Sequence, residues 1–130
     1  MNPSDAIRGT VWEDTNLTCM ARVKLDGAVA SFIQSAISAI ERKIFDRTSS
    51  SPGTAIDTAT PAVADSVFNT LQTDGRWTED STGYNFRDTI AAADLPSGSS
   101  QYRVEYKLTT TSGSVFFLVF EVTSYAVFSS

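Results

Sequence analysis

Tyr102-Arg103-Val104-Glu105-Tyr106-Lys107-Leu108, then Thr109-Thr110-Thr111-Ser112-Gly113, then Val115-Phe116-Phe117-Leu118-Val119-Phe120-Glu121-Val122: this stretch decides the fold. Two β-prone runs around a Thr/Ser/Gly turn read as a β-hairpin, and one this apolar must lie on a packed core. In the first run Tyr102, Val104, Tyr106 and Leu108 share one parity, while Arg103, Glu105 and Lys107 share the other. That is a strand with one buried and one wet face. The second run is apolar on both parities until Glu121. Such a strand is either central in a two-layer structure or covered by a second protein. For Phe116 and Phe120 the choice is between a place under a loop of the same chain and a place against a partner.

Upstream, Arg76-Trp77-Thr78-Glu79-Asp80-Ser81-Thr82-Gly83-Tyr84-Asn85-Phe86 has an aromatic strand–turn–strand pattern. Trp77, Tyr84, Phe86, Tyr102 and Tyr106 are the expected core anchors, since aromatics at strand spacing carry most of the apolar area of a small domain. Nearer the start, Thr10–Trp12 is β-prone. Leu17, Cys19, Ala21, Val23 and Leu25 then alternate with Thr18, Met20, Arg22 and Lys24 until Asp26-Gly27 signals a turn. The segment Ala28–Asp46 carries two periods: Ile33, Ile37, Ile40 and Ile44 recur as on a helix, yet Ile40, Arg42 and Ile44 alternate with Glu41, Lys43 and Phe45 as on a strand. Its β context favours a helical turn near Ser31–Ile37 followed by a strand at Ala39–Phe45. Residues 48–60 read as an exposed Ser/Thr/Pro loop, Ala62–Leu71 as a strand, Ala91–Ser100 as a second loop and 123–130 as a C-terminal tail, all within one domain spanning 1–130.

Composition narrows the chemistry. A chain of 130 residues can bury a real core without metals or disulfides. Its net charge of −5 argues against nucleic acid, which is gripped through clustered Lys and Arg, and against anionic membrane surfaces. No apolar run approaches the roughly 20 residues of a membrane-spanning helix, and Met1-Asn2-Pro3-Ser4-Asp5 lacks the basic start of a signal peptide. Synthesis in a cytoplasm is therefore expected, and the glycosylation pattern Asn16-Leu17-Thr18 has no secretion signal to support its use. The single cysteine, Cys19, lies on an apolar parity and reads as a buried structural thiol. The absence of histidine leaves nothing to activate it and excludes Ser-His-Asp and Cys-His catalysis and most zinc sites.

Asp74, Glu79 and Asp80 gather around Trp77, and carboxylates beside an aromatic are also the equipment of glycosidases and of oxygen-ligated calcium sites. No ligand loop of recognisable spacing accompanies them, and in a small β domain such groups usually decorate a turn. No catalytic residue, metal ligand or cofactor site is expected.

The succession Thr70-Leu71, Trp77-Thr78, Gly83-Tyr84-Asn85-Phe86 and Tyr102-Arg103-Val104-Glu105-Tyr106, closing in the apolar strand after Ser112-Gly113, resembles small immunoglobulin-like modules of tailed-bacteriophage virions. It is similar to the N-terminal modules of upper baseplate proteins and to related tail and neck components. Trp12-Glu13-Asp14-Thr15 and Lys24-Leu25-Asp26-Gly27 fit the same outline, while the long Ser/Thr loop after Arg47 departs from it. The resemblance implies a mainly β, immunoglobulin-like antiparallel β-sandwich with at most one short helix. It further implies a structural subunit of tail, baseplate or neck, made in a host cytoplasm and residing in the virion. Such a subunit would assemble with copies of itself or with other virion proteins, without substrate, cofactor, membrane or nucleic acid. The expected contact residues are Phe116, Phe120, Tyr125 and Phe128 of the C-terminal strand and tail, because exposed aromatics near a terminus are common anchors between subunits. The alternative is a carbohydrate-binding or adhesin-like module using Trp77, Tyr84 and the neighbouring carboxylates.

Overall fold

Period-two alternation becomes strand through most of the chain. The computed structural model describes residues 7–12, 15–25, 27–47, 55–75, 77–94 and 100–125. Among the described residues eight strands follow one another: β1 (Ile7–Trp12), β2 (Leu17–Ala21), β3 (Ile37–Asp46), β4 (Asp57–Ala59), β5 (Val67–Gln72), β6 (Tyr84–Ile90), β7 (Ser100–Thr110) and β8 (Val115–Tyr125). A single helical turn, α1 (Val63–Ser66), precedes β5. One sheet has the order β1-β8-β7-β3-β4 and the other β2-β6-β5. Neighbours are antiparallel except β1 and β8, which run parallel. This partition puts β2, β6 and β5 in the places of strands B, E and D of an immunoglobulin-like sandwich, with β4, β3, β7 and β8 as C′, C, F and G. The protein is a mainly β sandwich of that type.

The core lies between the sheets. Tyr102, Val104, Tyr106 and Leu108 of β7 are 1% exposed or less, and they meet Phe86 and Ile90 of β6, Ile40 and Ile44 of β3 and Phe120 of β8 in one cluster. The ring of Phe86 stands edge-on to Tyr106 at 5.0 Å between centroids. The hairpin β7–β8 pairs from Ser100↔Ser124 to Thr109↔Val115, with Gly113 in the left-handed region at the turn.

Three sequence expectations change, while the helical turn followed by a strand within Ala28–Asp46 is what the chain forms. The two periods of residues 33–44 coexist because the β3–β7 register shifts between Ile37 and Ala39, which keeps both Ile37 and Ile40 buried three positions apart. Short 3-10 turns occupy Val29–Ser31 and Gln34–Ala36 just before. Within the expected loop 48–60, Asp57–Ala59 pairs with Arg42–Ile44 and occupies the open edge of β3; residues 48–54 lie outside the described residues. Within Ala62–Leu71 the strand begins only at Val67, since the chain first makes one helical turn that buries Ser66. Thr123–Tyr125, expected in the tail, complete β8 and pair with Thr10–Trp12, while 126–130 lie outside the described residues.

The alternation through Leu17–Leu25 outlasts β2 itself. Val23 is still buried because the side chain of Asn85 substitutes for a neighbouring strand: its Oδ1 accepts from the Val23 N–H at 2.7 Å and its Nδ2 donates to the Val23 carbonyl at 2.9 Å. Both partners are buried, so neither bond has water as an alternative.

Candidate functional site

The carboxylates around Trp77 are held apart by their own partners. Asp80 Oδ1 accepts from Trp77 Nε1 at 2.9 Å and from the N–H groups of Thr82 and Gly83 at 3.0 Å each. Its other oxygen takes Arg22 Nη1 at 2.8 Å. The Trp77 N–H first, then the Gly83 amide and the Arg22 guanidinium, hold this carboxyl well below the usual carboxylate range. Asp74 accepts the Tyr84 hydroxyl at 2.5 Å and lies 3.7 Å from Arg87 Nη1. Among the described residues no group of three or more carboxylate or thiol side chains is placed to hold a metal ion. The arrangement braces a loop, as turn carboxylates generally do.

Of the five expected core anchors, Tyr84, Phe86, Tyr102 and Tyr106 are buried. Trp77 is only half-buried. Its indole lies at the rim, tilted 42° against Tyr84 with centroids 5.7 Å apart, and its N–H points to the exposed Asp80 rather than into the sandwich. Tyr84 in turn receives Phe68 edge-on at 5.7 Å, and the guanidinium of Arg87 sits 5.0 Å above the Phe68 ring.

A second polar cluster lies between the sheets. Arg42 of β3 points inward, where Nη1 meets Asp88 Oδ2 at 2.8 Å and Nη2 meets Asp57 Oδ2 at 3.1 Å, with Asp94 Oδ2 at 3.8 Å. Asp88 Oδ2 also accepts the Tyr106 hydroxyl at 2.7 Å. Cys19 packs beside this group, and burial pushes its thiol up to about 12 and the Tyr106 hydroxyl upward as well. A thiol protonated at neutral pH is no nucleophile, and Cys19 is buried as its parity implies. Sequence reasoning overlooked the cluster, although its signal was present: Arg42 shares the parity of Ile40 and Ile44.

The strand β8 resolves its double apolar face by register. Even-numbered residues point into the sandwich. Phe116 is half-buried and edge-on to Phe32, with centroids 6.1 Å apart. Phe120 is 5% exposed and edge-on to Tyr106 at 5.7 Å, so it belongs to the core and not to an outer contact. Odd-numbered residues face outward, and here Val115 and Phe117 are each 45% exposed and Tyr125 is 50% exposed, whereas Val119 in the same row is covered, at 8%. Of the four expected contact residues, Tyr125 is presented to solvent, Phe116 and Phe120 turn inward, and Phe128 lies outside the described residues. Phe117, which the sequence did not single out, takes the outward place. Comparison with protein-family models, with curated proteins and with solved structures finds no match.

Proposed function

We propose that the chain is a non-enzymatic structural subunit of a tailed-phage virion, in tail, baseplate or neck, that assembles through protein–protein contacts. The observation that carries the assembly part is the outward row of β8, where Val115, Phe117 and Tyr125 are roughly half-exposed on a strand whose other row is core. Large apolar groups concentrated on one strand mark a surface that another protein covers. The carboxylates offer no competing chemistry: Asp74 and Asp80 serve loop hydrogen bonds, and Arg42 and Tyr106 engage Asp88 inside the sandwich. The sugar-binding alternative draws less support, since Tyr84 is covered and the Trp77 N–H is taken by Asp80. The virion setting rests on the resemblance in the second half of the chain.

The test is the composition of the particle. Virions purified by density gradient from the host that encodes the chain are expected to hold it in a fixed multiple copy number, labelled by immunogold at the tail. Infectious particles that lack the chain overturn the reading.

A further inference from the structure

The outer face of the five-stranded sheet carries a charge pattern with a symmetry of its own. Glu41 of β3 stands opposite Lys107 of β7, and two residues along Lys43 stands opposite Glu105. All four lie on the outward parity, since Ile40↔Leu108, Arg42↔Tyr106 and Ile44↔Val104 take the inward one. The result is a two-by-two checkerboard. On β8 the same two rows continue as Phe117, opposite Lys107, and Val119, opposite Glu105. A shallow depression lined by Glu41, Lys43, Phe45, Glu105, Lys107 and Phe117 marks the middle of the face.

From this we infer that the face is the contact between two copies of this chain, related by a two-fold axis that runs parallel to the sheet, midway between the two facing sheets, crosses the strands and passes between the two rows. Such an axis lays each strand over its own counterpart and exchanges the rows. Glu41 of one copy then faces Lys43 of the other, Lys107 faces Glu105, and Phe117 lies over the position of Val119, which is itself only 8% exposed within its own chain. Each of these contacts occurs twice, and each is attractive or apolar, as an isologous interface requires of a single self-complementary patch; in the adjoining rows the same axis sets Thr109 opposite Arg103 and Val115 opposite Glu121. Sheets packed face to face stand about 10 Å apart, a gap that paired Lys and Glu side chains span. The pairs also steady the sheet as cross-strand neighbours. That role alone leaves Phe117 uncovered, and among the described residues Glu41, Lys43 and Lys107 take part in no ion pair within the chain. Glu105 is shared with Arg103, whose Nε lies 2.8 Å from its Oε2.

The inference deepens the assembly reading and rests on it for its setting, but its test needs only the purified chain. Sedimentation equilibrium up to about 0.1 mM, where even a micromolar contact is largely formed, is expected to show a dimer. Lys43→Glu/Lys107→Glu makes the face uniformly negative and Glu41→Lys/Glu105→Lys makes it uniformly positive. Each is expected to raise the dissociation constant about tenfold or more, because like charges meet across the axis. Mixing the two variants is expected to restore association as a heterodimer, more weakly at high salt. Phe117→Ser, which leaves the charges in place, is expected to weaken the dimer too, and it decides the matter if a charge variant fails to melt cooperatively. A monomeric wild-type chain overturns the inference, as does a dimer indifferent to Phe117→Ser or a pair of charge variants that stay apart when mixed. A monomeric chain that is nonetheless found in purified virions removes this face while leaving the virion reading in place.

Discussion

Gly83 shows how one residue sets a boundary. Its φ is +105°, and a Cβ built there would stand 2.4 Å from the Gln72 carbonyl oxygen. Left-handed backbone costs an L-residue about 1–2 kcal/mol by itself, and here a backbone atom blocks the space as well. Gly113 has φ +95° but nothing within 4 Å of its Cβ position. Gly83→Ala is therefore expected to cost more than about 2 kcal/mol and Gly113→Ala only the backbone share, read as the shift of the urea midpoint at unchanged slope. Equal costs would mean that the Gln72 contact yields freely. The glycines were visible in the sequence as turn signals, but the Gln72 contact was not, because it joins residues on different elements. Asn85 was hidden for the same reason: nothing local marks an amide that substitutes for a strand beside Val23.

At the scale of elements, Arg42 ties four strands together through Asp57, Asp88 and the Tyr106 hydroxyl that shares Asp88. Removing one partner of a buried ion pair strands the other charge, which typically costs about 3–5 kcal/mol. Arg42→Ala is expected to fall in that range. Arg42→Met/Asp88→Asn should recover part of the loss, since the asparagine oxygen still accepts from Tyr106 and the most buried of the three carboxylates no longer carries a stranded charge, while Asp57 and Asp94, which lose Arg42, are more open to water. A double variant no more stable than Arg42→Ala in denaturant titration would assign the loss to packing. The hairpin and the β3 alternation were legible because wet and dry faces differ in composition. The strand β4 was not, since Asp57-Thr58-Ala59 has no apolar period and becomes a strand only by pairing with β3. Nor was the orientation of β8. With Phe on both parities, only the register fixed by β7 decides that Phe116 turns in and Phe117 out.

Over the whole molecule, the buried acids make the fold sensitive to base. Burial raises Cys19 from 9.0 to about 12 and raises Tyr106 and Tyr84 above their ordinary 10.0. A group whose folded pKa is raised contributes stability that is whole below its unfolded pKa and is lost as pH climbs toward the folded one. Melting temperature is therefore expected to hold from neutrality to about pH 9 and then to fall steadily toward pH 12, with a smaller fall in Cys19→Ala. A melting curve as high at pH 11 as at pH 8 would show that these groups titrate unhindered in the native state. Sequence indicated the buried thiol through its parity, but Asp88 between Arg42 and Tyr106 depends on two sheets meeting.

The parallel pairing of β1 with β8 bears on how the protein carries tension. Ile7 lies beside Phe120 and Trp12 beside Tyr125, so the chain enters this ladder at one end and leaves it at the other. A pull applied before Ile7 and after Tyr125 slides the two strands along each other. The hydrogen bonds between them are then loaded together in shear, where a hairpin pulled from its open end would lose them one at a time. The first and last strands thus act as a mechanical clasp, and the sandwich resists stretching along the axis on which its own backbone transmits force.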